Sequence, residues 1–277
     1  MKDFDKLKKF KHIYLHPHGL GDLIISMPYI RRVMSKNLNF ALCVKDDVYN
    51  CGFFNNFNFR DKVFPWCPSI WNNSQTIKSF RKINKLTRAL KKENINTFYL
   101  LFNKKENRRL QICEGLSRKL GQQISFKEDI HGEVYLSDKD ISSAHQKLKK
   151  EICFLHTRSG SSLKSVIPGK LIKYIDLGEF SLFSPFQTNN INLIFAAQLL
   201  SKKNVVVDSI YMHSAAALNR DIDILFVSAS VKRFFNTLKP TNIKIHKVIY
   251  GNFFDAIKAF AYYDLRRYFK PKNLERR

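Results

Sequence analysis

The sequence predicts an α/β protein made of two successive Rossmann-like halves on parallel sheets. Three observations predict it. The chain opens on a strand, a glycine loop, a helix and a second strand; the same kind of series restarts near residue 150; and the later strands are β-branched runs suited to burial on both faces.

The opening unit runs from His12–His16, a short apolar run, into the turn string Pro17-His18-Gly19-Leu20-Gly21-Asp22. Leu23, Ile24, Met27, Ile30, Val33 and Met34 then follow at helical spacing. Pro28 interrupts that pattern and is expected to kink the helix or delay its start. Residues Phe40–Val44 read as the next strand. An amphipathic helix is expected over Ser74–Asn94, with Ile77, Phe80, Ile83, Leu86 and Leu90 on one face and seven Lys or Arg opposite. Asn96–Phe102 reads as a strand, and the polar stretch Ser137–Lys150 as a hinge between domains 1–150 and 151–277.

The second half begins with the strand Ile152–His156, which ends in a Ser/Gly loop. A helix opening near Pro168, a strand at Phe180–Phe183, a helix over Asn192–Ser201 and a strand over Asn204–Asp208 follow. Met212–Leu218 reads as a helix, Ile222–Val227 as a strand, and Phe253–Tyr268 as a last helix that packs back on the first domain.

Composition bounds the function. Hydrophobic residues make up 44% of the 277, enough for a sizeable core. No run approaches the roughly 18 apolar residues of a membrane helix, and no apolar segment follows the charged N-terminus as in a signal peptide. Five scattered cysteines without a CxxC pair point to reduced thiols and a cytoplasmic setting. Against 23 Asp and Glu stand 48 Lys and Arg, a formal charge of +25, which implies an anionic partner or a lysine-rich composition bias.

Three stretches could carry chemistry. In the first, Gly19 and Gly21 allow close backbone approach to a ligand, and Asp22 lies where a helix dipole keeps a carboxylate ionised, as a general base requires. The same residues also fit a tight turn with an acidic helix cap. The stretch lacks the third glycine of the dinucleotide motif and the Gly-Lys-Ser/Thr of a P-loop. In the second, His156 to Lys164, Ser159 and its neighbouring hydroxyls could hold a phosphate with Lys164 as a point charge, or form a plain surface loop. In the third, an apolar strand ends in Asp208-Ser209 and turns into a helix bearing His213. Ser209 and the free N–H groups there suit a diphosphate, whereas a capping Asp208 and an inward His213 are the structural alternative. Together the three place a base opposite a phosphate site, an arrangement for displacement at a sugar carbon with a nucleoside diphosphate leaving. No DxD-like acidic cluster accompanies them, so neither a metal nor another cofactor is expected.

The segment from Gly19-Leu20-Gly21-Asp22 through Pro28 to Val33 resembles the opening signature of glycosyltransferase family 9, the bacterial lipopolysaccharide heptosyltransferases. Asp208-Ser209 through His213 to Leu218 is similar to the family's Asp-Ser/Thr-Gly-x-x-His-x-x-Ala-Ala-Leu pattern, and Lys164 with Pro168 to its Lys-x-x-Pro segment. The resemblance implies a GT-B fold with two Rossmann-like domains facing a central cleft. It also implies metal-independent inverting transfer from a nucleotide-sugar donor, ADP-heptose by default, to a cell-envelope glycan such as a lipopolysaccharide core or capsule. By position it implies Asp22 as the base, Lys164 on the donor phosphate, and Asp208, Ser209 and His213 in the donor loop. Ile210 stands where the family has glycine, which predicts backbone strain there, and Phe226-Val227-Ser228 replaces its Phe-Gly-Pro.

The basic clusters at Lys78–Lys92, Lys104–Arg109 and Arg266–Arg277 would then hold the protein on the anionic inner face of the inner membrane, or grip an anionic glycolipid or polysaccharide acceptor. A catalytically degenerate sugar-nucleotide or glycan binder is the alternative. A nucleic-acid-binding protein is a more distant one, for which no RNP, KH, zinc-finger or helix-turn-helix signature is present.

Overall fold

The computed structural model describes residues 4–36, 39–65, 76–100, 107–127, 131–148, 151–157, 166, 180–184, 190–226 and 243–247. The first half contains α1 (Phe4–Leu7), β1 (His12–Leu15), α2 (Leu20–Ser35), β2 (Phe40–Cys43), α3 (Asp46–Asn50), β3 (Val63–Phe64), α4 (Thr76–Lys92), β4 (Asn96–Phe98) and α5 (Arg108–Leu120). After α6 (Asp138–Lys147) come β5 (Ile152–His156), β6 (Ser181–Phe183), α7 (Ile191–Leu200), β7 (Lys203–Val207), α8 (Ile210–Ala217), β8 (Ile222–Phe226) and β9 (Ile243–Lys247). The helices expected at Pro168 and over Phe253–Tyr268 lie outside the described residues.

All strand pairs are parallel. The first sheet has the order β3-β2-β1-β4 and the second β6-β5-β7-β8-β9. Strand order therefore reverses direction beside β1 and β4 in one sheet and beside β5 and β7 in the other. Crevices at such reversals, outside the carboxyl ends of the strands, are where open α/β sheets bind ligands.

Side-chain alternation explains the burial on both faces of each sheet. Tyr14 and Leu42 point to the main core, while Ile13, Leu15, Ala41 and Cys43 join Leu86 and Leu90 of α4 on the other face. In the second sheet, Phe154 and Val206 face the main core and Cys153, Val205 and Val207 the opposite side. The main cluster is continuous between the halves, running from Tyr14 through α2 to Phe154 and Ile224. Residues 53–57 bridge as well: the rings of Phe53 and Phe195 meet edge to face at 6.4 Å, and Asn192 Nδ2 donates to the Gly52 carbonyl at 3.3 Å.

Helix α2 lies between the first sheet and α8, which is why Leu23–Ile30 are buried all the way round instead of along one stripe. Pro28 neither delays the start of this helix nor ends it. A proline at that position frees the carbonyl four residues earlier, Ile24. The Glu133 N–H donates to that carbonyl at 3.1 Å, and Arg31 binds the Glu133 carboxylate through Nε at 2.9 and 3.0 Å. The stretch 131–136 thus repairs the proline defect. Pro28→Ala should accordingly change unfolding free energy by less than about 1 kcal/mol, because the restored N–H finds its acceptor already engaged. A gain near the ~3 kcal/mol of an ordinary mid-helix proline, measured by denaturant titration, would contradict this repair.

The polar stretch expected as a hinge contains α6. A capping box starts it: Ser137 Oγ accepts from the Asp140 N–H, and the Asp140 carboxylate accepts from the Ser137 N–H. Ala144 of this helix packs on Leu193 and Ala196 of α7.

Candidate functional site

The loop after β1 and the start of α2 form one wall. Gly19 is the N-cap of α2 with extended backbone, φ −77° and ψ 175°, and its Cα faces open space. Asp22 is the third residue of the helix, so its carboxylate lies among the free N–H groups of the first turn. Ser26 Oγ donates to the Asp22 carbonyl at 2.7 Å.

The end of β4 supplies the rest of this wall. His18 Nε2 donates to the Leu100 carbonyl at 3.0 Å, which makes the ring nitrogen nearer that strand the protonated one. Arg108, the opening residue of α5, donates from Nη1 to Asp22 Oδ1. Its backbone is held by the Asn107 cap, whose side chain accepts from the N–H groups of Arg109 and Leu110. Sequence reasoning placed Arg108 in a basic surface cluster. The Asn107 cap and Gly121, at φ 64° just past the helix end, are the signals that would have found α5.

Histidines surround the carboxylate. His16 is fully buried, shares a hydrogen bond with Tyr14 Oη at 3.2 Å through Nδ1, and stacks edge to face on His18 at 5.4 Å. Burial pushes His16 down to about 3, and burial also lowers His18, so both rings are neutral near neutral pH. Burial acts to raise the pKa of Asp22, but Arg108, then His18, His213 and His16 outweigh it, and the carboxyl lies below its ordinary range. Since His16 and His18 are neutral there, Arg108 is the fixed charge among these groups.

The opposite wall comes from the second sheet, at the ends of β5 and β7. Ser209 caps α8 in extended conformation, and its Oγ bonds His156 Nδ1 at 3.2 Å instead of a helix N–H. His156 sits edge to face on Tyr211, ring centres 4.5 Å apart. Asp208, half-buried, leads into this cap. Ile210 starts α8 without the positive φ that the missing glycine suggested; among the described residues only Asn94 and Asn219 adopt it apart from glycine. The chain leaves β5 at Thr157 and is next described at Val166, whose N–H donates to the Thr157 carbonyl at 2.8 Å. Ser159 and Lys164 lie outside the described residues.

The two walls meet closely at Gly21. A Cβ on Gly21 would lie 2.8 Å from His213 Cδ2 and 3.6 Å from the Ile210 Cα. Gly21 thus brings the first turn of α2 against the first turn of α8, with Asp22 and His213 beside the contact. Gly21 and His213 meet at this junction with Asp22 beside them; His16, His18 and Arg108 surround Asp22, Asp208 and Ser209 lead into α8, and His156 bonds Ser209.

No protein-family model matches the sequence, and no curated protein matches it. Solved structures do. The chain is similar to the ADP-heptose lipopolysaccharide heptosyltransferase II of E. coli at 12% identity and a TM-score of 0.53, covering 87% of this chain and 92% of that one. A family 9 glycosyltransferase from Veillonella parvula matches at 11% and 0.57, covering 87% and 86%. The E. coli heptosyltransferase WaaC with ADP-2-deoxy-2-fluoro heptose matches at 11% and 0.50, covering 86% and 93%. The likeness spans nearly the whole of each chain, and with the two parallel sheets it assigns this protein the GT-B fold of those glycosyltransferases.

Proposed function

We propose that this protein is a glycosyltransferase that moves a sugar from a nucleoside diphosphate to an acceptor hydroxyl. The observation that carries the reading is the junction at Gly21, where a carboxylate at one sheet's ligand crevice meets the start of α8, led by Ser209, at the other's. In this reading Asp22 takes the acceptor hydroxyl proton while that oxygen attacks the anomeric carbon, and the nucleoside diphosphate departs with the bonding pair, inverting the centre. Ser209 and the N–H groups opening α8 stabilise the departing charge, with Lys164 as the added cation. Asp208 and His213 orient the donor beside them. Nothing in this scheme requires a metal ion.

Heptose is the default sugar and ADP the default nucleotide, because two of the similar structures are named for ADP-heptose or its fluoro analogue. A cell-envelope glycan, in a lipopolysaccharide core or capsule, is the corresponding acceptor. Thermal unfolding against ADP, UDP, GDP, dTDP, CDP and CMP tests the reading. A nucleotide at about 100 times its dissociation constant should stabilise the fold by about 2.7 kcal/mol, a rise of roughly 5–10 °C. A rise with one nucleotide names the donor class. No rise with any of them removes the donor and leaves a glycan-binding protein as the better reading.

No helix among the described residues is long and apolar enough to cross a membrane. Attachment would be peripheral, on the outer face of the first sheet. There α1 and α4 pack on one apolar cluster and expose Lys6, Lys8 and Lys9 beside Lys85, Arg88, Lys91 and Lys92. Near an anionic bilayer each contributes about 1 kcal/mol. The protein should sediment with anionic liposomes at low salt and be released at high salt; free protein at every salt level would rule out this attachment.

A further inference from the structure

This inference rests on Asp22 as the base, and it concerns what the base meets before it can act. A general base works best when its proton affinity lies near the operating pH. Asp22 is arranged the other way. Its Oδ1 accepts from Arg108 Nη1, in a contact whose two side chains are 22% and 26% exposed. A guanidinium stays charged at every working pH, so titration cannot release the carboxylate. Only a competing anion can draw Arg108 away.

Arg108 is placed for that exchange. Its backbone is pinned by the Asn107 cap, while its long side chain reaches Asp22 from the first residue of α5. The guanidinium fork matches a planar carboxylate or a phosphate with two parallel hydrogen bonds. In the structure one Nη1–H of that fork is already taken by a carboxylate, that of the proposed base Asp22. The other groups facing Asp22 are His18, His213 and His16, with Lys45 acting on His16 in turn.

We infer that Arg108 is the receptor for an oxyanion on the acceptor, a carboxylate or phosphate beside the reacting hydroxyl, and that by taking Arg108 this group frees Asp22 to act as base. The acceptor is the source favoured over the donor by position. Arg108 stands at the strand reversal of the first sheet, whereas Ser209, His156 and the start of α8, the groups suited to a diphosphate, belong to the second. An uncharged acceptor would leave Asp22 paired and unreactive. The contact thus makes the acceptor's charge a condition of turnover, beyond its contribution to affinity.

The test is a carbon-detected NMR titration of the Asp22 carboxyl in the full chain, assigned by its loss in Asp22→Asn. It is run at fixed ionic strength in sodium chloride, inorganic phosphate, methyl glucuronoside or ADP. In the wild type, phosphate or glucuronoside should raise the Asp22 midpoint by about one pH unit or more over chloride, the scale set by a neighbouring cation. In Arg108→Gln the midpoint should already be raised in chloride and neither anion should move it, while Arg108→Lys should keep part of the response. A response to phosphate alone names a phosphorylated acceptor, and one to glucuronoside a uronic or other sugar acid. A response to ADP alone would overturn the assignment to the acceptor. An unmoved midpoint, or one that moves equally in Arg108→Gln, would overturn the gate. The readout needs no turnover, so failure of the transferase reading, seen in the nucleotide panel, is a separate result.

Discussion

Asp22→Asn is expected to lower turnover by roughly 10²–10⁴ while the fold and the nucleotide-induced stabilisation persist. The amide keeps the shape of the carboxylate and one oxygen for Arg108, so the contact from α5 survives in part. What it cannot do is take a proton. Donor binding is expected to stay, because Ser209 and the start of α8 are on the other wall. The comparison to make is initial rate against nucleotide thermal shift on one preparation. Equal loss of both would mean that Asp22 has a structural role at the junction, and an unchanged rate would remove it from the chemistry.

The second large effect is on stability, and it sits away from the site. Gly132→Ala should cost about 2–4 kcal/mol, combining overpacking with a strained carbonyl hydrogen bond. A Cβ there would meet the Ile24 side chain at 2.9 Å, the Ile24 carbonyl oxygen at 3.0 Å and the Ala217 Cβ at 3.3 Å. The neighbours are a backbone oxygen and two packed helices, so little can give. The 131–136 stretch must then lift off α2, and the Glu133 bond to the carbonyl freed by Pro28 goes with it. Unfolding temperature should fall by roughly 5–15 °C. Gly19→Ala is the matched control: its φ is ordinary and no atom lies within 4 Å, so a change below about 0.5 kcal/mol is expected. Similar losses at both glycines would show that close packing is not what Gly132 provides.

The difference between these glycines marks what could be read from the residues alone. The opening strand, loop and helix were legible because apolar spacing and turn chemistry act within a few residues, and the same holds for β7 and α8. Gly21 was legible as a close approach, but not that its partner is the His213 ring rather than a ligand. That partnership joins residues 192 positions apart and exists only once both sheets are formed. Arg108 was hidden for a related reason. Its role comes from β4 pairing with β1, which sets it beside Asp22 across 86 residues. Local cues did exist for α5 and α6, an Asn cap with a terminal glycine and a Ser-x-x-Asp box, but both helices are polar and read as surface or hinge. The two-residue β3 has no pattern of its own to read. Ile210 shows the opposite error: a family glycine suggested strain, yet the residue that replaces it begins a helix with ordinary backbone.

The embrace of α2 by later elements also sets the order in which the protein can be finished. Its inner face is complete only when Gly132 and Glu133 cross it and Ala217 closes over them. At a synthesis rate of about 5–20 residues per second, the 193 residues between Ile24 and Ala217 take roughly 10–40 s to appear. Throughout that interval the nascent helix presents Leu23, Ile24 and Met27 with no second half to cover them. The protein therefore cannot mature one half at a time on the ribosome. Its second helix is held unfinished until the eighth emerges, which makes that interval the window in which a chaperone matters most.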